Sequence, residues 1–205
     1  MLWEYFNKGG PIMYPILICS VFALMIIIER FIYIAKVKRE SETVFRKTTE
    51  ILKQGNVNNA LKLCSEMGDS PACNIIKQGL IHKNKPREEI REAIENAGLR
   101  ELPRIERFLP TLGTIISIAP MLGLLGTVVG MIISSNALGP SATANSPALL
   151  RGIANALLTT AFGLIVAIPA LIGYNYLLNK SQSTIREISQ KSDKVVDLLT
   201  QQEKT

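Results

Sequence analysis

Between Phe108 and Asn179 the sequence has no Asp, Glu, Lys or His, and Arg151 is the one charged residue in that stretch. No globular core requires such segregation of charge, whereas a membrane-embedded chain does. Without a carboxylate or an imidazole, the stretch has no side chain able to carry a proton near neutral pH. Ser117 and Ser134 likewise lack a His or Lys in the span to act as base, which makes an intramembrane enzyme a poor reading. Cysteine is sparse: Cys19, Cys64 and Cys73 stand apart, an odd number without the spacing of a zinc site or a disulfide framework, and reduced structural thiols are expected. The lone histidine, His82, lies between Ile81 and Lys83 with no ligand neighbours, so neither a metal centre nor any other cofactor is implied. Aromatic residues are only 6% of the chain, and no basic stripe interleaves with them, so nucleic acid is not an expected partner.

What the sequence has in abundance is apolar residues, 47% of 205, with a mean hydropathy of +0.22. Three stretches are long enough to cross about 30 Å of hydrocarbon as helices, which takes about 20 residues each. The expected fold is an all-α integral membrane protein with three transmembrane helices and long cytoplasmic helical extensions, in contact with membrane lipid. Residues 1–11, with Trp3, Tyr5, Phe6 and the Gly9-Gly10-Pro11 break, read as a periplasmic interfacial helix and turn. Transmembrane helix 1 spans 12–35, with Glu29-Arg30 near its end and Lys36, Lys38 and Arg39 as a basic anchor. A cleaved signal peptide is a weak alternative, because Lys8 is a poor basic region and no small-x-small site follows the apolar run. Transmembrane helix 2 spans 108–138, a periplasmic loop 139–147, transmembrane helix 3 spans 148–179 with a bend at Pro169, and a helical tail fills 180–205.

Lys and Arg number fifteen from Lys36 to Arg107, five from Lys180 onward, one before the first helix and none from Gly139 to Leu150. The positive-inside rule then places the amino terminus outside, and both 36–107 and 180–205 in the cytoplasm. Segment 36–107 sets eleven acidic residues among its fifteen basic ones, a net +4 that suits anchoring and solvated helix faces. Helices are expected over Val37–Gln54, Val57–Met67 and Pro71–Lys83, with stops at Gly55 and Gly68. A further helix starts at Pro86, favoured by Glu88 and Glu89 in its first turn. It is expected to pass Ile90, Ile94, Ala97 and Ile105 and run on into transmembrane helix 2, bending at Pro103 and Pro110.

In the second span Gly123, Thr127, Gly130 and Ser134 recur every three or four residues, with Gly126 beside them. The third span has Gly152, Asn155, Thr159, Thr160, Gly163 and Ala167. Small residues let helix backbones approach one another in a bilayer, so packing is the plain reading of Gly123, Gly126, Gly130, Gly163 and Ala167, and the same faces are where a guest partner helix could approach. Thr127, Asn155 and Thr160 are polar groups whose burial in hydrocarbon is costly unless they meet a partner or line a path. In helical projection Asn155 lies about 40° from Thr159 and about 140° from Thr160, so a cavity facing both Asn155 and Thr160 has to be broad.

The runs Ile118-Ala119-Pro120-Met121-Leu122-Gly123-Leu124-Leu125-Gly126-Thr127-Val128-Val129-Gly130-Met131 and Gly152-Ile153-Ala154-Asn155-Ala156-Leu157-Leu158-Thr159-Thr160-Ala161-Phe162-Gly163-Leu164 carry a family resemblance, extended by Ala167-Ile168-Pro169-Ala170 and Tyr174-Asn175. With weaker matches at Glu29-Arg30, Ser70-Pro71 and Ala93-Ile94-Glu95, the chain resembles the ExbB/TolQ group of the MotA/TolQ/ExbB proton-channel family over nearly its whole length. The resemblance implies a homo-oligomeric ring, usually a pentamer, in the bacterial inner (cytoplasmic) membrane. Inside the ring would stand a dimer of single-span ExbD/TolR-like subunits, with a TonB/TolA-like protein as a further partner. The partner helix would bring an Asp, with Thr127, Asn155, Thr159 and Thr160 along the ion pathway. The proton motive force would then drive work on the periplasm or outer membrane, such as TonB-type import or Tol-type envelope maintenance. Members similar to ExbB or TolQ commonly carry Glu where this chain has Asn155. The competing reading is a passive membrane scaffold for assembly or secretion, without ion conduction.

Overall fold

The computed structural model describes residues 10–54, 56–136 and 147–202. The interfacial segment expected at 1–11 falls almost wholly outside the described residues, as does the loop expected at 139–147. Among the described residues the secondary structure is helical throughout: α1 (Met13–Lys53), α2 (Val57–Glu66), α3 (Pro71–Ile81), α4 (Arg87–Ile105), α5 (Leu109–Asn136) and α6 (Pro147–Gln202). Three of these helices, α1, α5 and α6, carry segments long and apolar enough to cross a membrane, each with a mean hydropathy of 2.2.

In α1 no glycine or proline follows Pro15, which sits in the first turn where its missing N–H costs nothing, so apolar and charged halves form one helix of 41 residues. Helix α6 is likewise continuous over 56 residues, with Pro147 at its start and Pro169 inside it. The expected run from α4 into the second span is corrected: the helix stops at Ile105, residues 106–108 form a turn, and α5 starts at Leu109. Pro110 explains the position of the break. It has no N–H to offer the Glu106 carbonyl four residues back, and its ring would collide with that carbonyl in a continuous helix. Pro103, by contrast, is accommodated within α4.

The chain divides into two compact units. The first comprises Met1–Ile28 and Phe108–Tyr176. Its interior combines small side chains, with Ala119, Ala156, Ala167 and Ala170 buried, and larger ones such as Met13, Leu109 and Leu112, while Leu17, Phe22, Met25, Met121, Leu124, Leu157, Ile165 and Ile172 point outward. The outward display of so many bulky apolar side chains suits a hydrocarbon surround. Ala23 and Ile26 of α1, Leu112 and Ile115 of α5 and Ala170 of α6 form its packed cluster, and Gly173 admits the side chain of Ile27.

The second unit comprises Glu29–Arg107 and Leu177–Thr205 and follows the rule for water. Leu52, Ile75, Ile76, Leu80, Ile94, Ile105 and Ile188 are nearly or fully buried. Helix α2 packs on α3 and α3 on α4. Asn56 accepts a bond from the Asn59 N–H to cap α2, and Pro71 opens α3. Gly79 and Gly98 bring the helices close, since a Cβ on Gly79 would lie 2.8 Å from Val196 and one on Gly98 would lie 2.9 Å from Ser189. Arg30 is 4% exposed. It pairs with Glu29, lies 4.5 Å over the Tyr33 ring and donates to the carbonyls of Arg104 (3.3 Å) and Ile105 (3.2 Å). Those are carbonyls at the end of α4, which have no partner within the helix.

Candidate functional site

The polar residues of the first unit gather where α5 meets α6. Glycines on both helices make that meeting possible: a Cβ on Gly123 would lie 2.8 Å from the Thr159 carbonyl oxygen, on Gly130 2.8 Å from the Ala156 Cβ, and on Gly163 2.6 Å from the Ala119 carbonyl oxygen. Gly126 faces the Thr159 side chain, and Gly152 faces that of Ser134. These stripes thus pack against each other within one chain, and Ala167 is also buried. Ala119 and Ala156 complete the contact. In the sequence Ala156 stood out only as a member of the run from Gly152 to Leu164, because alanine carries no chemical signal of its own.

The three threonines differ in what their hydroxyls do. Thr159, 1% exposed, directs one hydroxyl proton toward two carbonyls, Gly123 at 3.0 Å on α5 and Ala156 at 2.6 Å on its own helix. Thr127 is 7% exposed and donates to Leu124 at 2.6 Å, satisfying itself within α5. The Thr160 hydroxyl oxygen is buried with no hydrogen-bond partner. A buried hydroxyl in that state costs about 1–3 kcal/mol. Asn155 and Ser134 line a cavity of about 200 Å³ with Gly126, Gly130 and Gly152, and Gly10, Pro11 and Ile12 line it as well. Ser134 already donates to Gly130 at 2.8 Å. The structure therefore places Asn155 on this cavity, Thr159 in the helix contact, Thr127 buried in α5, and Thr160 half-buried with its hydroxyl oxygen out of reach of solvent.

Chemically, the arrangement has hydroxyls, an amide and backbone carbonyls, which donate and accept hydrogen bonds but do not exchange protons near neutral pH. From Phe108 to Tyr176 it has no carboxylate at all.

A helical unit with small residues where α5 meets α6, bulky apolar residues outside and three segments long enough to span defines a multi-pass membrane protein. The sequence model of the MotA/TolQ/ExbB proton channel family matches residues 67–190, and the chain belongs to that family. It is similar to a putative biopolymer transport protein ExbB homolog of Methanothermobacter thermautotrophicus, 34% identical over 188 residues that cover 90% of this chain and 66% of the relative. It is also similar to the putative biopolymer transport protein ExbB-like 3 of Synechocystis sp., 34% identical over 171 residues, or 82% of this chain and 80% of the relative. The Tol-Pal system protein TolQ of Pseudomonas aeruginosa is 40% identical over 98 residues, 48% of this chain and 42% of that one. The chain is thus a proton-channel family component of the ExbB/TolQ group.

Proposed function

We propose that this chain is the ring-forming subunit of an ion-driven motor in a cytoplasmic membrane, five copies of it surrounding the single membrane helices of two ExbD/TolR-like partners. The observation that carries the reading is a pair: a buried Thr160 hydroxyl without a partner, in a span that has no carboxylate. A proton relay needs a titrating group, so an Asp on the partner helix supplies it. Thr160 can donate to the ionised Asp and accept from the protonated one, and Asn155 and Thr127 orient water or the carrier along the path. The amino terminus lies outside and the second unit in the cytoplasm, where charge on 36–107 and the tail anchors it. Ion flow then drives motion passed through a TonB/TolA-like protein to the periplasm or outer membrane.

The test is reconstitution with a single-span partner bearing a membrane Asp. Proton uptake that needs both the partner Asp and Thr160, and that falls at least tenfold in Thr160→Val while the complex still assembles, supports the motor. A cysteine at Ser141 that reacts with an impermeant reagent only after the membrane is broken would reverse the orientation.

A passive scaffold is the second reading. The glycine stripes favour it in one respect, since they are occupied by packing within the chain. Unchanged proton uptake in the Thr127→Val, Thr160→Val double variant would leave the scaffold as the better account.

A further inference from the structure

The second unit holds a pair of buried thiols that the channel chemistry does not use. Cys64 lies in α2 and Cys73 in α3, and these helices pack together around a turn in which Gly68 takes a φ of +79°. The positive φ suits glycine and lets the chain fold back, with Cys64 three residues before the turn of residues 67–70 and Cys73 three residues after it. Both cysteines are free, with Cys64 4% and Cys73 1% exposed. Cys64 is one of the two buried residues of α2, the helix that packs on α3. From α1 the Thr48 hydroxyl is fully buried and has no hydrogen-bond partner.

We propose that Cys64 and Cys73 are a reversible oxidation site, closing to a disulfide that staples α2 to α3 when hydrogen peroxide reaches the second unit. The two thiols are made unequal by their surroundings. Hydrogen bonding with Cys73 holds Cys64 below the usual cysteine range, against the opposing effect of burial and with help from Thr48. Hydrogen bonding with Cys64, and then burial, push Cys73 up. Cys64 therefore ionises first while Cys73 keeps its proton as donor, an assignment of nucleophile and resolving thiol that two surface cysteines would not have.

The steps balance without a further reactant. The Cys64 thiolate attacks one peroxide oxygen, the S–O bond forms, the O–O bond breaks, and the hydroxide that leaves takes up the proton that Cys64 lost. The Cys73 sulfur then attacks the sulfenic sulfur of Cys64, the S–S bond forms, the S–O bond breaks, and the second hydroxide takes the Cys73 proton. Two thiols lose two electrons between them and one peroxide becomes two waters. Because neither sulfur meets bulk solvent in the closed hairpin, oxidation proceeds through local opening of α2 and α3 and is slower than at an exposed cysteine.

The experiment uses the full chain in membrane vesicles exposed to hydrogen peroxide, followed by alkylation, digestion and mass spectrometry. A Cys64–Cys73 linked peptide, lighter by two hydrogens, should rise by about tenfold over untreated vesicles and vanish with dithiothreitol. In Cys73→Ser, dimedone should trap the sulfenic acid at Cys64, whereas Cys64→Ser should leave Cys73 as the thiol. The proposal is overturned if both cysteines remain alkylatable after an added surface thiol has been fully oxidised. It is equally overturned if either goes to sulfinic acid or links to Cys19 without the 64–73 peptide appearing. The wild-type map decides the matter by itself should a serine variant fail to fold.

Discussion

The Thr159 hydroxyl lies 3.0 Å from the Gly123 carbonyl, so a side chain of α6 reaches a backbone oxygen of α5 where the missing side chain of Gly123 lets it lie against the backbone of Thr159 and Thr160. The glycine matters twice there: it lets the backbones approach and it leaves the carbonyl open to the hydroxyl. Thr159→Val should keep the shape and lose the bond, lowering stability in detergent by about 1 kcal/mol. Thermal unfolding of the purified chain measures it.

Packing of the stripe makes a graded prediction for added methyl groups. Gly163→Ala would place its Cβ 2.6 Å from the Ala119 carbonyl oxygen and 3.3 Å from the Pro120 Cα, both backbone atoms. Neither can turn aside as a flexible side chain could, so the cost is about 1–3 kcal/mol. Gly113→Ala meets only the Tyr174 ring at 3.8 Å and should change stability by less than about 0.5 kcal/mol. Similar melting of the two variants would show that α5 and α6 are not held at this separation.

Thr160 should behave in the opposite sense. Replacing an unpartnered buried hydroxyl with the methyl of Val removes a desolvation cost, so Thr160→Val should stabilise the chain by about 1 kcal/mol in the absence of a partner subunit. The same substitution should reduce ion-coupled activity in the complex. Thr127→Val, which breaks a bond to Leu124, should show no such gain.

At the end of α4, Arg30 is a forked cap. Its Nη1 serves both the Arg104 and Ile105 carbonyls while Nε and Nη2 hold the two oxygens of Glu29 and the guanidinium lies over Tyr33, a combination that an ammonium cannot reproduce. Arg30→Ala should cost about 2–3 kcal/mol, and Arg30→Lys should recover less than half of that loss. Limited proteolysis around residues 106–108 gives a local readout, with faster cleavage expected in both variants.

Two carboxylates of the second unit should give opposite pH dependences. Burial, aided by Asp197 and Glu95 and opposed by Arg91 and Arg87, raises Asp193 above the usual Asp range. Its protonated form is thus favoured in the folded chain, and the stability it contributes is present at low pH and lost as pH rises through the raised value. Asp193→Asn should raise the melting temperature at neutral pH and lose that advantage below the ordinary Asp range. Glu187 is held low by hydrogen bonds from Lys191 and Lys38, with burial opposing. Its contribution is present above the ordinary Glu range and lost as pH falls through the lowered value, so Glu187→Gln should be destabilising at neutral pH and neutral in acid.

Much of this protein was determined by its sequence alone, because hydrophobic length and helical period act locally. Three runs of apolar residues make three helices able to span, and residues three or four apart, such as Gly123 and Thr127, must share a side of α5. Period cannot say how far a neighbouring helix is rotated or slid along. Only packing decided that Thr159 would bond across to Gly123 while the next residue, Thr160, kept a buried hydroxyl with no partner. Packing likewise brought Gly10–Ile12 to the cavity that Asn155 lines. In the same way Pro103 and Pro110 looked equivalent as bends, yet Pro103 is held within α4 and the turn falls just before Pro110, next to the carbonyls that Arg30 caps. Cys64 and Cys73 read as unrelated thiols until the turn at Gly68 set one beside the other, a juxtaposition that depends on how two short helices pack and on no pattern within either.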